Sequence, residues 1–232
     1  MTPTRILVGE SKAIALTVDG FALPGLDQAA TLSTIRAIAA DLAPYPPQQR
    51  SYPGLRRVIT AGDGAACSYL GHLLRAIAPY IGSAYDWPGF AVTEASFSLT
   101  TFAPDQLAAQ QRAPHFDTSD PDVIAMLHYL APTAGTGFFR HRASGIEVVT
   151  PDNASHFISL AGAERAATPP GYIAQSNCHY ELLTTIEGLA NRIVFYPGCL
   201  LHSALITPET PLDSDPLAGR LTTVMFVRRT RG

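Results

Sequence analysis

The stretch RAPHFDTSDPDVIAMLHYLAP, residues 112–132, sets a histidine and a carboxylate one residue apart, His115-Phe116-Asp117, just ahead of an apolar, strand-like run. In an extended segment residues i and i+2 project from the same face. His115 and Asp117 would then aim an imidazole and a carboxylate at one point. They supply two ligands of a two-histidine, one-carboxylate face of an octahedral metal, which leaves three positions open and suits non-haem Fe(II). The third ligand must come from far along the chain. His202, in NRIVFYPGCLLHSALI, follows a strand and a turn and opens the next strand. A rival pair of the same spacing, His179-x-Glu181 in CHYELL, has only 20 residues between Glu181 and His202, room for little more than one hairpin. Arg220 opens the run GRLTTVMFV, with Thr222 on the same face. An inward arginine is costly unless it meets an anion, and a carboxylate held by both arms of the guanidinium answers that need.

These residues need a scaffold. Runs 4–9 and 13–18 read as two strands around Ser11-Lys12. Leu32, Ile35, Ile38, Ala39 and Leu42 recur at helical spacing behind a candidate cap, Asp27. A proline-rich loop, PYPPQQRSYPG, precedes a second helix over 65–81, and its end, SYPGLRR (51–57), is a candidate lid. From residue 93 the chain turns to short extended runs: EASFSLTTF, DVIAMLHYL, TGFFRHR, GIEVV, HYELLTTIE, RIVFYPG, HSALIT and RLTTVMFVRR. Branched and aromatic residues favour strands there, and Gly, Pro or Asn separates them. A short helix is expected at 154–167. Helices first and about eight strands after them predict an α+β protein, a β-sandwich or barrel with helices on one face. The 232 residues read as a single domain, with 1–92 supporting a core at 93–232.

Composition narrows the partners. The net charge of −3 gives no electrostatic case for nucleic acid or an anionic membrane. No apolar run reaches the roughly 18–20 residues that span a bilayer, and the start lacks the apolar stretch of a signal peptide, so a cytoplasmic protein is expected. Cys67, Cys178 and Cys199 are scattered without metal spacing. Lys12 is the single lysine against 15 arginines, a composition like that of a high-GC bacterium and one with little scope for lysine chemistry. Arg140, His141 and Arg142 form a basic cluster that reads either as a contact for an acidic substrate or as a solvated strand end.

The order His115-x-Asp117, His202, Arg220 resembles the Fe(II)/2-oxoglutarate-dependent oxygenases, in context the prolyl 4-hydroxylase-like branch. The likeness covers about residues 93–228. It includes the strand ending Tyr129-Leu130, the glycine-rich Gly135-Thr136-Gly137-Phe138-Phe139, the NRIVFYPG run and Gly219-Arg220 opening a strand that reaches Phe226. The resemblance implies a double-stranded β-helix, or jelly roll, with His115, Asp117 and His202 binding Fe(II). Arg220 would pair with the distal carboxylate of 2-oxoglutarate, with Tyr129 and Thr222 hydrogen-bonding it. It further implies hydroxylation of an unactivated C–H bond of a peptide, amino acid or small metabolite by O2, with release of succinate and CO2. The alternative is a non-catalytic jelly-roll binding or sensor protein that keeps the pocket. Two departures stand out: His202 and Arg220 are 18 residues apart, against about ten in the family, and the strand before His115 ends in Phe102, where the branch often has Tyr-x-x-Gly.

Overall fold

A computed structural model describes residues 1–47 and 52–230. Ten strands lie in two antiparallel sheets. The larger contains β1 (Thr2–Val8), β2 (Ala13–Asp19), β3 (Gly54–Val58), β4 (Phe90–Thr100), β5 (Val123–Tyr129), β8 (Ile193–Pro197) and β10 (Arg220–Arg229), in the order β1-β2-β8-β5-β10-β4-β3. The smaller contains β6 (Thr133–His141), β7 (Tyr180–Gly188) and β9 (His202–Ala204), in the order β7-β6-β9. His115 adds an isolated bridge to the free edge of β9. From β4 onward the chain visits the large sheet, the bridge at His115, the large sheet at β5, the small sheet at β6 and β7, and then alternates through β8, β9 and β10. That back-and-forth path is the jelly-roll arrangement.

The described residues also form three α-helices, α1 (Gln28–Asp41), α2 (Gly64–Tyr85) and α3 (Ala154–Glu164), and short 3-10 turns. Asp27 caps α1 by accepting from the Ala30 amide at 2.8 Å, as expected of an aspartate at that position. Ile35 and Ala39 of α1 and Leu70, Leu73, Ile77 and Ile81 of α2 share a core with the back of the large sheet. The central strands of the large sheet are therefore covered on both faces, and their two-residue period sorts side chains into two cores. Phe97 and Leu99 of β4, Ile124 and Met126 of β5, Ile193 and Phe195 of β8, and Leu221 and Met225 of β10 meet the helices. The alternate residues Ala125, Tyr129, Val194 and Tyr196 face the small sheet. A buried polar chain ties the helix side together: the Tyr69 hydroxyl lies 2.8 Å from His128 Nδ1, and His128 Nε2 lies 2.9 Å from the Asn191 amide oxygen. Among the described residues no helix is long and apolar enough to cross a membrane.

Three expectations change. GIEVV forms no strand; only Val148 bridges, to Leu200. The candidate lid begins at Ser51, which lies outside the described residues, and its later part is strand β3, hydrogen-bonded along β4 and so part of the wall. His115 and Asp117 do not share a regular strand. The chain bends between them, because the Asp117 amide leaves the ladder to donate to the Gly198 carbonyl at 2.7 Å.

Candidate metal centre

His115 and His202 are a directly opposed antiparallel pair. Each backbone amide donates to the other's carbonyl at 2.8 Å, so both side chains leave on one face. Their ring centroids stand 4.4 Å apart. Asp117 reaches the same point after the bend: its carboxylate oxygens lie 3.8 Å from His115 Nε2 and 3.6 Å from His202 Nε2. These distances are too long for hydrogen bonds, so none of the three groups satisfies another. One donor atom from each lies within 4.8 Å of the other two, close enough to share an ion.

The tautomer of His202 is set by the backbone. Its Nδ1–H donates to the Leu200 carbonyl at 2.8 Å, which leaves the Nε2 lone pair directed at the cluster. Burial pushes the imidazole down to about 4, only partly opposed by that hydrogen bond, so it is neutral and ligand-ready at pH 7. His115 is lowered by burial and by the neighbouring His202, against the pull of Asp117. Burial raises the Asp117 carboxyl, while His115 and then Arg56 draw it back down. The His202 side chain is 5% exposed and that of His115 45%; the cluster is closed behind and open in front.

The donor set fits a divalent transition metal that takes nitrogen and oxygen ligands, and it spans only one face of the ion. The cavity it borders, about 170 Å³, runs between the sheets. Register orders the rows of residues beneath it, of which Ser96, Glu94 and Tyr129 do not line it. Across β4, β10 and β5 the rows are Thr100–Arg220, Ser98–Thr222–Tyr129, Ser96–Val224–Leu127 and Glu94–Phe226–Ala125. The first rows are polar and the last, which lead to the cluster, are largely apolar.

Arg220 closes the polar end, 2% exposed. Its Nε donates to Thr133 Oγ1 at 3.1 Å and its Nη1 to Thr100 Oγ1 at 3.2 Å. Its Nη2 is buried with no partner, and among the described residues Arg220 makes no ion pair. The long approach to it, TPETPLDSDPLA, stays outside the sandwich and folds back on itself. The Gly219 amide donates to the Asp215 carbonyl at 2.7 Å and that of Arg220 to Pro211 at 3.1 Å.

The other expected residues divide. Thr222 lines the cavity, though its hydroxyl leans on the Ser98 carbonyl at 3.5 Å. Tyr129 does not line it: the hydroxyl is held by Thr136 Oγ1 at 2.6 Å, and Thr136 is the residue that reaches the wall. The rival pair His179-x-Glu181 points two ways, His179 Nδ1 to Glu164 at 3.2 Å and Glu181 to Arg140 at 3.3 Å. Arg140 itself is engaged by Glu10, Glu147 and Glu181, and His141 is buried. Tyr52 and Arg56, expected only within the candidate lid, stand in the wall, and Ser98, Thr100, Tyr172 and Tyr196 line it without having been assigned to the site. For Ser98 the signal was available in EASFSLT, where small polar residues at 96, 98 and 100 alternate with the apolar 95, 97 and 99. Such a pattern inside a strand with both faces covered marks a polar cavity wall.

The model of a family described as a family of unknown function, DUF6445, matches residues 2–227. No curated protein matches the chain by sequence. Among solved structures, apo HygX from Streptomyces hygroscopicus is similar with a TM-score of 0.54 and 12% identity, over 95% of this chain and 84% of HygX. HygX with nickel, 2-oxoglutarate and hygromycin B bound gives 0.52 and 13%, over 93% and 82%. The likeness is one of fold.

Proposed function

The chain belongs to the DUF6445 family, and from its site we propose that it is an Fe(II)- and 2-oxoglutarate-dependent dioxygenase that hydroxylates a C–H bond of a peptide, amino acid or small metabolite. One observation carries this reading. A buried arginine with an unpaired Nη2 and a three-donor cluster border the same cavity. A small molecule with a carboxylate at one end and a chelating group at the other satisfies both, and 2-oxoglutarate is such a molecule. HygX, which shares the fold, holds nickel and 2-oxoglutarate.

In this reading His115, Asp117 and His202 hold the metal on one face, and the bound Fe(II), with 2-oxoglutarate and O2, supplies the oxidising chemistry. The chain's own part is positional. His202 keeps its proton on Nδ1, committed to Leu200, so Nε2 stays available as a ligand. Arg220 fixes the far carboxylate and with it the direction in which the cosubstrate lies. Ala125, Leu127 and Val224 line the way between and leave little there for water to bind. The exposed flank of His115 is the side from which a substrate C–H bond can approach.

The test is turnover. Purified protein with Fe(II), 2-oxoglutarate and O2 is incubated with fractionated bacterial lysate, and succinate is followed beside products heavier by one oxygen atom. The expected result is succinate formation coupled to a new oxygenated species in one fraction. Tight 2-oxoglutarate binding with no succinate in any fraction would favour a binding or sensor protein that keeps the pocket. No 2-oxoglutarate binding at all would overturn the reading.

A further inference from the structure

The cavity wall presents several hydroxyls, and most are already used. Thr100 Oγ1 accepts from Arg220 and lies 3.2 Å from the Tyr52 hydroxyl. Thr136 is shared with Tyr129. Thr222 donates, at long range, to the Ser98 carbonyl. Among the described residues the Tyr196 hydroxyl makes no hydrogen bond, but its ring lies against that of His202, with centroids 4.6 Å apart, at the metal end. Ser98 is different. Its side chain borders the cavity, the residue is 1% exposed, and its Oγ is buried with no partner. Register puts it in the row next to Arg220, beside Thr222. Arg220 Nη2 and Ser98 Oγ are the unpartnered buried atoms on this wall. Both can donate, and an orphaned donor in a closed site is costly until an acceptor arrives.

Building on the cosubstrate reading above, we propose that Ser98 is the hydroxyl that works with Arg220 to bind the distal carboxylate of 2-oxoglutarate, in the place that sequence resemblance gives to Tyr129. A carboxylate has two oxygens and about four acceptor positions. The free arm of Arg220 fills part of that capacity, and a hydroxyl from the neighbouring row supplies another donor. Tyr129 then acts one step back, holding Thr136 against the wall.

The experiment is calorimetric titration of 2-oxoglutarate into the Ni(II)-loaded protein, with thermal melts of the ligand-free and ligand-bound forms. Ser98→Ala is expected to weaken 2-oxoglutarate about tenfold, while Ni(II) affinity stays within about twofold. The ligand-free melting temperature should hold or rise, since the substitution removes a buried hydroxyl that bonds to nothing. Tyr129→Phe is expected to leave 2-oxoglutarate affinity within about twofold. Ser98→Thr, which restores a hydroxyl, should recover part of the affinity. Unchanged affinity in Ser98→Ala, or a clear loss of ligand-free stability, would overturn the proposal, the second because it would reveal a protein partner for the hydroxyl. Failure of the parent protein to bind 2-oxoglutarate would instead sink the functional reading on which this rests.

Discussion

The end of β6 and the cavity carry the same kinds of residue and treat them in opposite ways. At the end of β6, on the face turned toward the large sheet, Arg140 is held by Glu10, Glu147 and Glu181. Glu147 also accepts from the Ser11 amide at 2.9 Å and so ties down the β1–β2 turn. Gly9 makes that closeness possible: a Cβ there would stand 2.3 Å from a Glu147 oxygen. On the opposite face of the same strand His141 has both ring nitrogens engaged, by Ser144 and by Glu164. At the cavity His202 has one nitrogen engaged and one free, and Arg220, opposite it on the large sheet, keeps a guanidinium arm with no partner. Residue type does not separate structural from binding groups here. Whether the fold itself completes their hydrogen bonds does, because an unsatisfied buried donor costs about 1–3 kcal/mol and persists only where something else meets the need. His179, beside Glu164 of α3, breaks the pattern: its Nε2 is buried without a partner, though it lines neither this cavity nor the shallow one beside α3.

The comparison can be broken most directly with histidines. His202→Ala should lower Fe(II) affinity by more than about 100-fold, beyond the usual effect of losing a residue outside the ligand shell. His141→Ala should bind Fe(II) like the parent and melt at lower temperature. Equilibrium dialysis with metal analysis distinguishes them, and a His141→Ala protein that loses iron would refute the division of roles. The arginines give the next largest effect. Arg220→Ala should weaken 2-oxoglutarate by roughly 30- to 1000-fold, about 2–4 kcal/mol, for loss of a desolvated charge-assisted pair, with metal affinity near that of the parent. Arg140→Ala should leave 2-oxoglutarate affinity alone and cost stability, since Glu147 would stay buried without its cation.

A third test sharpens what full engagement means for a buried imidazole. His128, between Tyr69 and Asn191, is pushed down to about 4 by burial, against the pull of Asn191. The unfolded imidazole takes up its proton near 6.5, so between pH 6.5 and 4 the unfolded chain binds more protons than the folded one. Stability is complete above about 6.5 and drains as the pH falls toward 4, by up to about 3 kcal/mol for this residue. Urea midpoints at pH 7.5 and 4.5 should therefore differ less in His128→Gln than in the parent; an equal difference would mean that other groups carry the acid sensitivity. The smallest effect belongs to Tyr129→Phe, which removes one neutral hydrogen bond to Thr136 and should lower stability by about 1 kcal/mol, read from the same urea curves.

Much of this was legible in the chain. Strand geometry is local, so the alternation in RLTTVMFV decides by itself that Arg220 and Thr222 share a face and that Leu221 and Met225 turn the other way. Asp27 announces the start of α1, and the type and order of His115, Asp117, His202 and Arg220 suffice to nominate a metal and an anion. The strand expected at GIEVV shrank to one bridge, Val148 to Leu200, with backbone bonds only to Cys199 and Leu201: branched residues make a segment able to pair, but the neighbour it meets decides how far it does.

What the tertiary structure alone decided is which polar atoms remain free. His115 meets His202, 87 positions away, through a backbone bridge, while His179, with its own carboxylate two residues on, is claimed by Glu164 from α3. Tyr129 has the hydroxyl that resemblance asks for, yet Thr136 on the facing sheet takes it, and Ser98 is left with its hydroxyl open. Direction along a strand follows from the covalent chain. Hydrogen-bond satisfaction depends on side chains brought within about 3 Å from distant segments, and that distance is set by how the sheets and helices pack.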